Sequence, residues 1–213
     1  MLKSMKLTGE LKFFIGIIVA SIAILAFAVV FLNRPSPTFS SGELLPNDTF
    51  TKGNKNATVQ LVEFSDFQCP ACKAYQSIVD PLVEQYKEKL VFGYRHFPLS
   101  QHKLAQYAAQ AAEAAGEQGK FWEMSGYIFN HQDTLTKELI NEGAQTLGLD
   151  ATAFKNTLNS EKYKQKILRD LADGKRFGVN STPTFFLNGK KLNLNSYNDL
   201  KKAVEQAITI SPT

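Results

Sequence analysis

The chain has 213 residues, 44% of them apolar and 21% charged, with a formal net charge of +4; this is the balance of a globular protein with room for one domain and an added terminal segment. Lys and Glu are mixed along the expected helices, so this small excess excludes the concentrated basic footprint of a nucleic-acid binder. The densest basic stretch, Lys162 to Arg169, alternates with apolar residues at helical spacing and reads as a solvated helix face.

Residues 13–32 (FFIGIIVASIAILAFAVVFL) carry neither charge nor proline. At about 1.5 Å per residue, twenty such positions span the roughly 30 Å hydrocarbon core of a bilayer. Lys3, Lys6 and Lys12 precede the run and Arg34 follows it, so the positive-inside rule predicts a cytoplasmic N-terminus, residues 1–12, and a single pass outward. The competing reading is a cleaved signal peptide. Ala26-Phe27-Ala28 has the small-residue pattern for it, but Val29-Val30-Phe31-Leu32 continues the apolar run past that point. The uncleaved anchor is the favoured reading. Either outcome puts the rest of the chain in an oxidising extracytoplasmic compartment. Residues 33–56 turn to Pro, Ser, Thr, Asn and Gly and read as a tether, with a short strand near Asp48 to Thr51 left open.

Within 57–213, Thr58 to Phe64 is a short β-branched and apolar run, read as a buried strand. Pro70 suits the first turn of a helix, which continues through Ile78, Leu82, Val83 and Tyr86 to about Lys89, with a kink expected at Pro81. Leu90 to Phe97 is a second strand, completing a β-α-β unit with a right-handed crossover. Helical patterns then fill about 101–177. They include an alanine-rich side (Leu104, Ala108, Ala111, Ala115) and an aromatic face (Phe121, Trp122, Ser125, Ile128, Phe129) read as core. Asp150 and Ser160 are expected N-caps. Thr184 to Leu187, the Asn188-Gly189 turn and Lys191 to Leu194 read as a hairpin, and Tyr197 to Ile208 as a closing amphipathic helix.

The two cysteines, Cys69 and Cys72, stand three apart at the start of the first helix, and no further pair exists to build a structural framework. Disulfide exchange needs an attacking thiolate and a second sulfur to resolve the mixed disulfide. Cys69 at the helix edge would have free N–H groups and the positive dipole end to stabilise its thiolate, while Cys72, one turn inside, would resolve. A structural disulfide closing so small a loop would contribute little. A zinc site would have to find ligands among His96, His102 and His131. His96 and His102 read as surface or loop residues without a role. Glu63, six residues before Cys69, has apolar neighbours in Val62 and Phe64. Buried, its raised pKa would suit proton exchange with Cys72; the alternative is a solvent-facing Glu on an alternating strand.

The strand, the C-x-x-C helix and the late hairpin preceded by proline resemble the thioredoxin superfamily, and the helical block between the halves resembles its DsbA branch. More closely, Gly53-Asn54, VQLVEFSDFQCPAC and Gly178-Val179-Asn180-Ser181-Thr182-Pro183-Thr184 are similar to membrane-anchored bacterial DsbA-like proteins, over residues 53–208. The resemblance implies a thioredoxin-like α/β fold with a helical insertion and a cis-proline at Thr182-Pro183 facing the cysteines. It further implies a Thr182 backbone that docks extended substrate peptides, an acid at Glu63, and no cofactor or metal. Implied partners are exported proteins with cysteines and a membrane redox partner that recycles Cys69 and Cys72. An oxidase is the expectation, with a reductase or isomerase as the alternative because Pro70-Ala71 replaces the histidine-containing dipeptide of strongly oxidising relatives. A non-catalytic thioredoxin-like binding module is the reading from another class.

Overall fold

The computed structural model describes residues 9–32 and 37–210. Lys3, Lys6 and Arg34, on which the expected orientation rests, lie outside the described residues. The chain divides into two units, 1–37 and 38–213. In the first, helix α1 (Gly9–Leu32) contains an 18-residue stretch, Lys12–Val29, long and apolar enough to cross a membrane, with none of it buried against protein. By length and composition this suits a membrane span, and a signal sequence near the N-terminus has the same pattern.

The second unit begins inside the segment expected as a tether. Thr38 makes a β-bridge with Lys190, the short helix α2 (Ser41–Leu44) follows, and strand β1 is Phe50–Gly53. Ser40 and Glu43 form a reciprocal capping box that satisfies the first N–H groups of α2. Polar composition does not prevent this, because Phe39, Leu44, Leu45 and Phe50 supply the burial.

Strands β2 (Val59–Ser65) and β3 (Leu90–His96) pair in parallel around helix α3 (Pro70–Gln85), giving the expected β-α-β unit. Helix α3 is continuous through Pro81, and it buries Cys72, Val79, Leu82 and Val83, with Val79 rather than Ile78 facing inward. The helical block comprises α4 (Ala105–Gly116), α5 (Phe121–Asn130), a 3₁₀ turn (Gln132–Thr134), α6 (Lys137–Thr146), α7 (Ala151–Leu158) and α8 (Glu161–Arg176). Asp150 caps α7 by accepting from the Ala153 N–H; Ser160 holds the N-cap position of α8 without a side-chain cap bond. Strand β4 (Thr184–Leu187) turns at Asn188-Gly189, both with positive φ, into a two-residue β5 (Lys190–Lys191), shorter than the expected partner strand. Helix α9 (Tyr197–Ile210) closes the chain.

Among the described residues the sheet order is β1-β3-β2-β4-β5, with β2–β3 parallel and the other pairs antiparallel. Both faces are covered, so β2 and β3 are buried along their whole length, which explains their near-continuous apolar sequence. Alternation sends Val59 and Leu61 into a core shared with α3, α4, α5 and α9, while Val62 and Phe64 enter a second core with Leu44, Phe97, Phe177 and Phe186. Rings of the second core meet edge-on, Phe64 on Phe186 at 5.7 Å and on Phe97 at 6.4 Å. Each buried phenylalanine contributes about 1.5–3 kcal/mol through area removed from water. Gly174 of α8 lies against this cluster; a Cβ there would stand 2.7 Å from the Phe97 ring. Small residues also set the helical block, where Ala108, Ala111, Ala112 and Ala115 of α4 are fully buried and admit close neighbours.

A buried ionic cluster joins β3 to α4 and α8. Arg95 is 0% exposed and donates to Asp170 at 2.6 Å, Asp173 at 2.8 Å and the carbonyls of Glu43 and Leu44. Lys166 binds Glu113 at 2.6 Å, and His96 Nε2 lies 2.8 Å from the same carboxylate oxygen. Two expectations are thereby corrected. Lys166, within the stretch read as a solvated face, points inward because Glu113 and Asp170 neutralise it. His96 is a buried residue of the cluster because β3 is covered on both faces.

Candidate active site

Cys69 is the N-cap of α3, with extended backbone (φ −81°, ψ 118°), and Pro70 opens the helix. This is the geometry that Pro at the first helical position favours, since its missing N–H has no intrahelical partner to lose. The first N–H groups of α3 therefore face Cys69. Both cysteines are free thiols. Cys69 Sγ lies 3.2 Å from the Thr182 carbonyl oxygen, 113 residues away in sequence. The Thr182–Pro183 peptide bond is cis, and it enters β4 beside β2.

The two thiols differ in environment and therefore in acidity. Cys69 falls from an ordinary 9.0 to about 5, chiefly because the Cys72 thiol hydrogen-bonds its thiolate. The Thr182 side chain and the backbone N–H groups of Cys72 and Ala71 add to this, against partial burial, whereas the Thr182 carbonyl accepts from the protonated thiol. Cys72 moves the other way. Burial pushes its thiol far up, and the nearby Glu63 charge adds to the effect. The Asp66 backbone N–H reaches its sulfur at 3.5 Å.

Glu63 lies on the Cys72 side of the sheet, because β2 alternation groups it with Val59 and Leu61. It is only 4% exposed, which removes the solvent-facing alternative. Burial raises its carboxyl from 4.5 to about 8, with smaller contributions from Asp80 and Cys69 and an opposing one from Ser65. Glu63, Cys72, Asp80 and Tyr94 line one cavity of about 20 Å³, room for a single water. The structure thus brings Cys69, Cys72, Glu63, Thr182 and Pro183 to one end of the sheet.

Three polar side chains shape the loop between β2 and α3. The buried Asp66 carboxylate accepts from the Gln68 N–H at 2.7 Å and the Leu99 N–H at 2.7 Å, and lies 2.8 Å from His102 Nδ1. His102 is a loop residue, as read, but one tied to the site loop through Asp66 and not without a role. Gln68 Oε1 accepts from the Leu104 N–H at 2.6 Å. From the far side, Gln132 Nε2 donates to the carbonyls of Phe67 at 2.7 Å and Cys69 at 3.0 Å. Asp66 and Gln68 were visible beside the cysteines. Gln132 had no local signal, since it arrives from the 3₁₀ turn more than sixty residues on. Among the described residues no group of three or more His, Cys, Asp or Glu is placed to hold a metal.

A pair of unequal thiols at a helix start, facing a cis-proline loop at the end of a mixed sheet with a helical insertion, defines a thioredoxin-like dithiol protein of DsbA-like architecture. A family profile described as thioredoxin matches residues 46–206, and the chain belongs to that family. Among solved structures, it is similar to the thiol-disulfide exchange protein alpha-DsbA2 of Wolbachia pipientis, with TM-score 0.70 and 22% identity over 78% of this chain and 90% of that one. It is also similar to oxidised BdbD of Bacillus subtilis, with TM-score 0.69 and 22% identity over 83% and 100% of the two chains. At these identities the likeness is one of fold. Among curated proteins, it is 35% identical to the Na(+)/H(+) antiporter NhaA 1 of Mycolicibacterium gilvum over 83% of this chain and 30% of that one. It is 37% identical to the antiporter NhaA 3 of Salinispora tropica, over 68% and 22%. The chain spans less than a third of the length of these curated relatives.

Proposed function

We propose that this chain is an extracytoplasmic thiol:disulfide oxidoreductase that oxidises dithiols of exported proteins through a Cys69–Cys72 disulfide. The observation that carries the proposal is the asymmetry of the two thiols. Both are buried, against the expectation of an exposed Cys69, but Cys69 is the acidic one at the helix edge, 7% exposed, and Cys72 at 1% is closed off behind it. A client thiolate attacks Sγ of Cys69, the Cys69–Cys72 bond breaks, and Cys72 leaves as a thiolate that takes a proton from neutral Glu63. The client's second thiolate then attacks its own sulfur in the mixed disulfide and expels Cys69 as its stable thiolate. The client loses two electrons and the Cys69/Cys72 pair gains them. Thr182 and Pro183 form the edge on which an extended client segment docks by strand addition.

A stabilised Cys69 thiolate favours the dithiol form and makes the disulfide the stronger oxidant, which supports the oxidase direction. The Pro70-Ala71 dipeptide favours the second reading, a reductase or isomerase for exported proteins. In either direction α1 anchors the domain by a single pass with its N-terminus inside, and a membrane redox partner returns Cys69 and Cys72 to their starting state. The reading rests on the dithiol, not on ion transport, which belongs to the names of much longer relatives.

The test is Cys72→Ala, which should accumulate covalent adducts with client proteins that dithiothreitol releases, while Cys69→Ser traps none. A non-catalytic binding module would give no adducts and keep its function in Cys69→Ser. Equilibration with glutathione buffers sets the direction: a potential near that of thioredoxin, about −270 mV, would overturn the oxidase reading.

A further inference from the structure

Gln132 is a buried amide whose single nitrogen is shared between two backbone carbonyls of the motif loop, Phe67 at 2.7 Å and Cys69 at 3.0 Å. An amide nitrogen has two hydrogens, and two acceptors use both. The carbonyls belong to the Phe67–Gln68 and Cys69–Pro70 peptides, so the contact fixes the peptide planes on either side of the Gln68–Cys69 peptide. The Cys69 carbonyl also receives the Lys73 N–H at 3.2 Å, the opening hydrogen bond of α3. The orientation of that carbonyl therefore sets how the first helical turn sits on Cys69, and with it the aim of the Ala71 and Cys72 N–H groups. Beside Gln132, Asp133 pairs with Lys73 at 3.1 Å, so the same 3₁₀ turn also reaches the first turn of α3. Asp66 and Gln68 hold the loop from within; Gln132 holds it from the helical insertion.

We infer that Gln132 is a positioning residue for the redox motif, a clasp by which the helical insertion fixes the Cys69 carbonyl and so holds the N–H groups of α3 toward the Cys69 sulfur. The inference rests on the exchange reading of the dithiol and assigns the insertion a part in it. Without the clasp, the two carbonyls lose a buried donor, the loop relaxes, and the N–H groups no longer converge on the thiolate. The Cys69 thiolate is then less stable, and the disulfide a weaker oxidant.

The experiment is the pH dependence of iodoacetamide alkylation of Cys69 in the reduced full chain, for the wild type and Gln132→Leu, with a melting curve for each. Leu keeps the volume and removes both donors. The expected result is an inflection about one pH unit higher in the variant, and a glutathione equilibrium shifted toward the disulfide. A merely structural role would lower the melting temperature and leave the inflection in place, which overturns the inference. If the variant does not fold, the wild type decides by nitrogen-15 NMR of the Gln132 side-chain amide. Slow exchange of both protons, with resonances that move between dithiol and disulfide forms, supports the clasp; exchange as fast as an exposed glutamine overturns it. Failure of the exchange reading is distinguishable, because the wild type itself would then not equilibrate with glutathione.

Discussion

The Cys69 sulfur sits 3.2 Å from the carbonyl oxygen of Thr182, so the reactive end of the motif and the loop before β4 form one surface. With Cys69 lowered to about 5 and Cys72 pushed up by burial, the reduced protein should show one reactive thiol at neutral pH. Alkylation of Cys69 should rise through an inflection near pH 5 and be flat above pH 7, while Cys72 should resist labelling through pH 9. Mass mapping of the labelled peptide checks this; equal labelling of both thiols at pH 7 would contradict the asymmetry.

Glu63 gives a prediction with a definite sign. Its folded value of about 8 lies above the ordinary 4.5 because burial disfavours the carboxylate. The folded state therefore binds more protons than the unfolded state between those values. The contribution to stability is complete below pH 4.5 and is lost as pH rises through 8. Glu63→Gln, neutral at every pH, should gain on the wild type by on the order of 1.4 kcal/mol for each pH unit across that window. Denaturant midpoints at pH 5 and pH 9 test it, and parallel behaviour of the two proteins would refute it. The same variant should slow release of Cys72 from the disulfide by roughly 100-fold, the lower range for loss of a general acid, read as rapid-mixing kinetics with a model dithiol.

Arg95 is buried with Asp170, which is itself 1% exposed. Removing Arg95 leaves buried Asp170 with only Lys166, at 3.5 Å and shared with Glu113, so the interior keeps an uncompensated negative charge, which costs about 3–5 kcal/mol. Arg95→Met should fall in that range, a drop on the order of 10 °C in Tm for a domain of this size. Arg95→Met combined with Asp170→Leu should recover part of the loss, because no unpaired charge remains between them. Urea unfolding of the three proteins supplies the double-mutant comparison; additive losses would show that the two side chains are not coupled.

The elements legible in the sequence are those whose physics is local. The C-x-x-C pair with Pro70, the apolar run of β2 and the Asn188-Gly189 turn each carry their signal within a few residues, whereas the burial of Glu63, which alternation left open, comes from cover on both faces of the sheet. What escaped the sequence is set by distant partners. Lys166 looks like one more cation on a helix until Glu113 and Asp170 surround it. His96 looks like a surface or loop residue until both faces of β3 are covered, and nothing local ties the loop residue His102 to Asp66. Gln132 has no neighbour in sequence to mark it.

The segment 38–53 yields the last prediction. Its Pro, Ser and Asn content reads as a tether, yet it supplies β1 to the sheet edge, and Phe50 stacks on Phe121 at 4.1 Å. Phe39 packs on Phe177 at 4.5 Å, and the Glu43 and Leu44 carbonyls accept from the buried Arg95. A chain starting at Thr38, the second unit itself, should therefore melt in one cooperative transition. A chain starting at Asn54 loses two aromatic anchors, a strand and two acceptors for a buried guanidinium, together on the order of 5 kcal/mol or more. That shorter chain should be unfolded or aggregated near 37 °C, while the longer one stays monomeric with a cooperative transition. Circular dichroism melts of the two truncations decide the matter: equal melting temperatures would mean that the segment is only a tether after all.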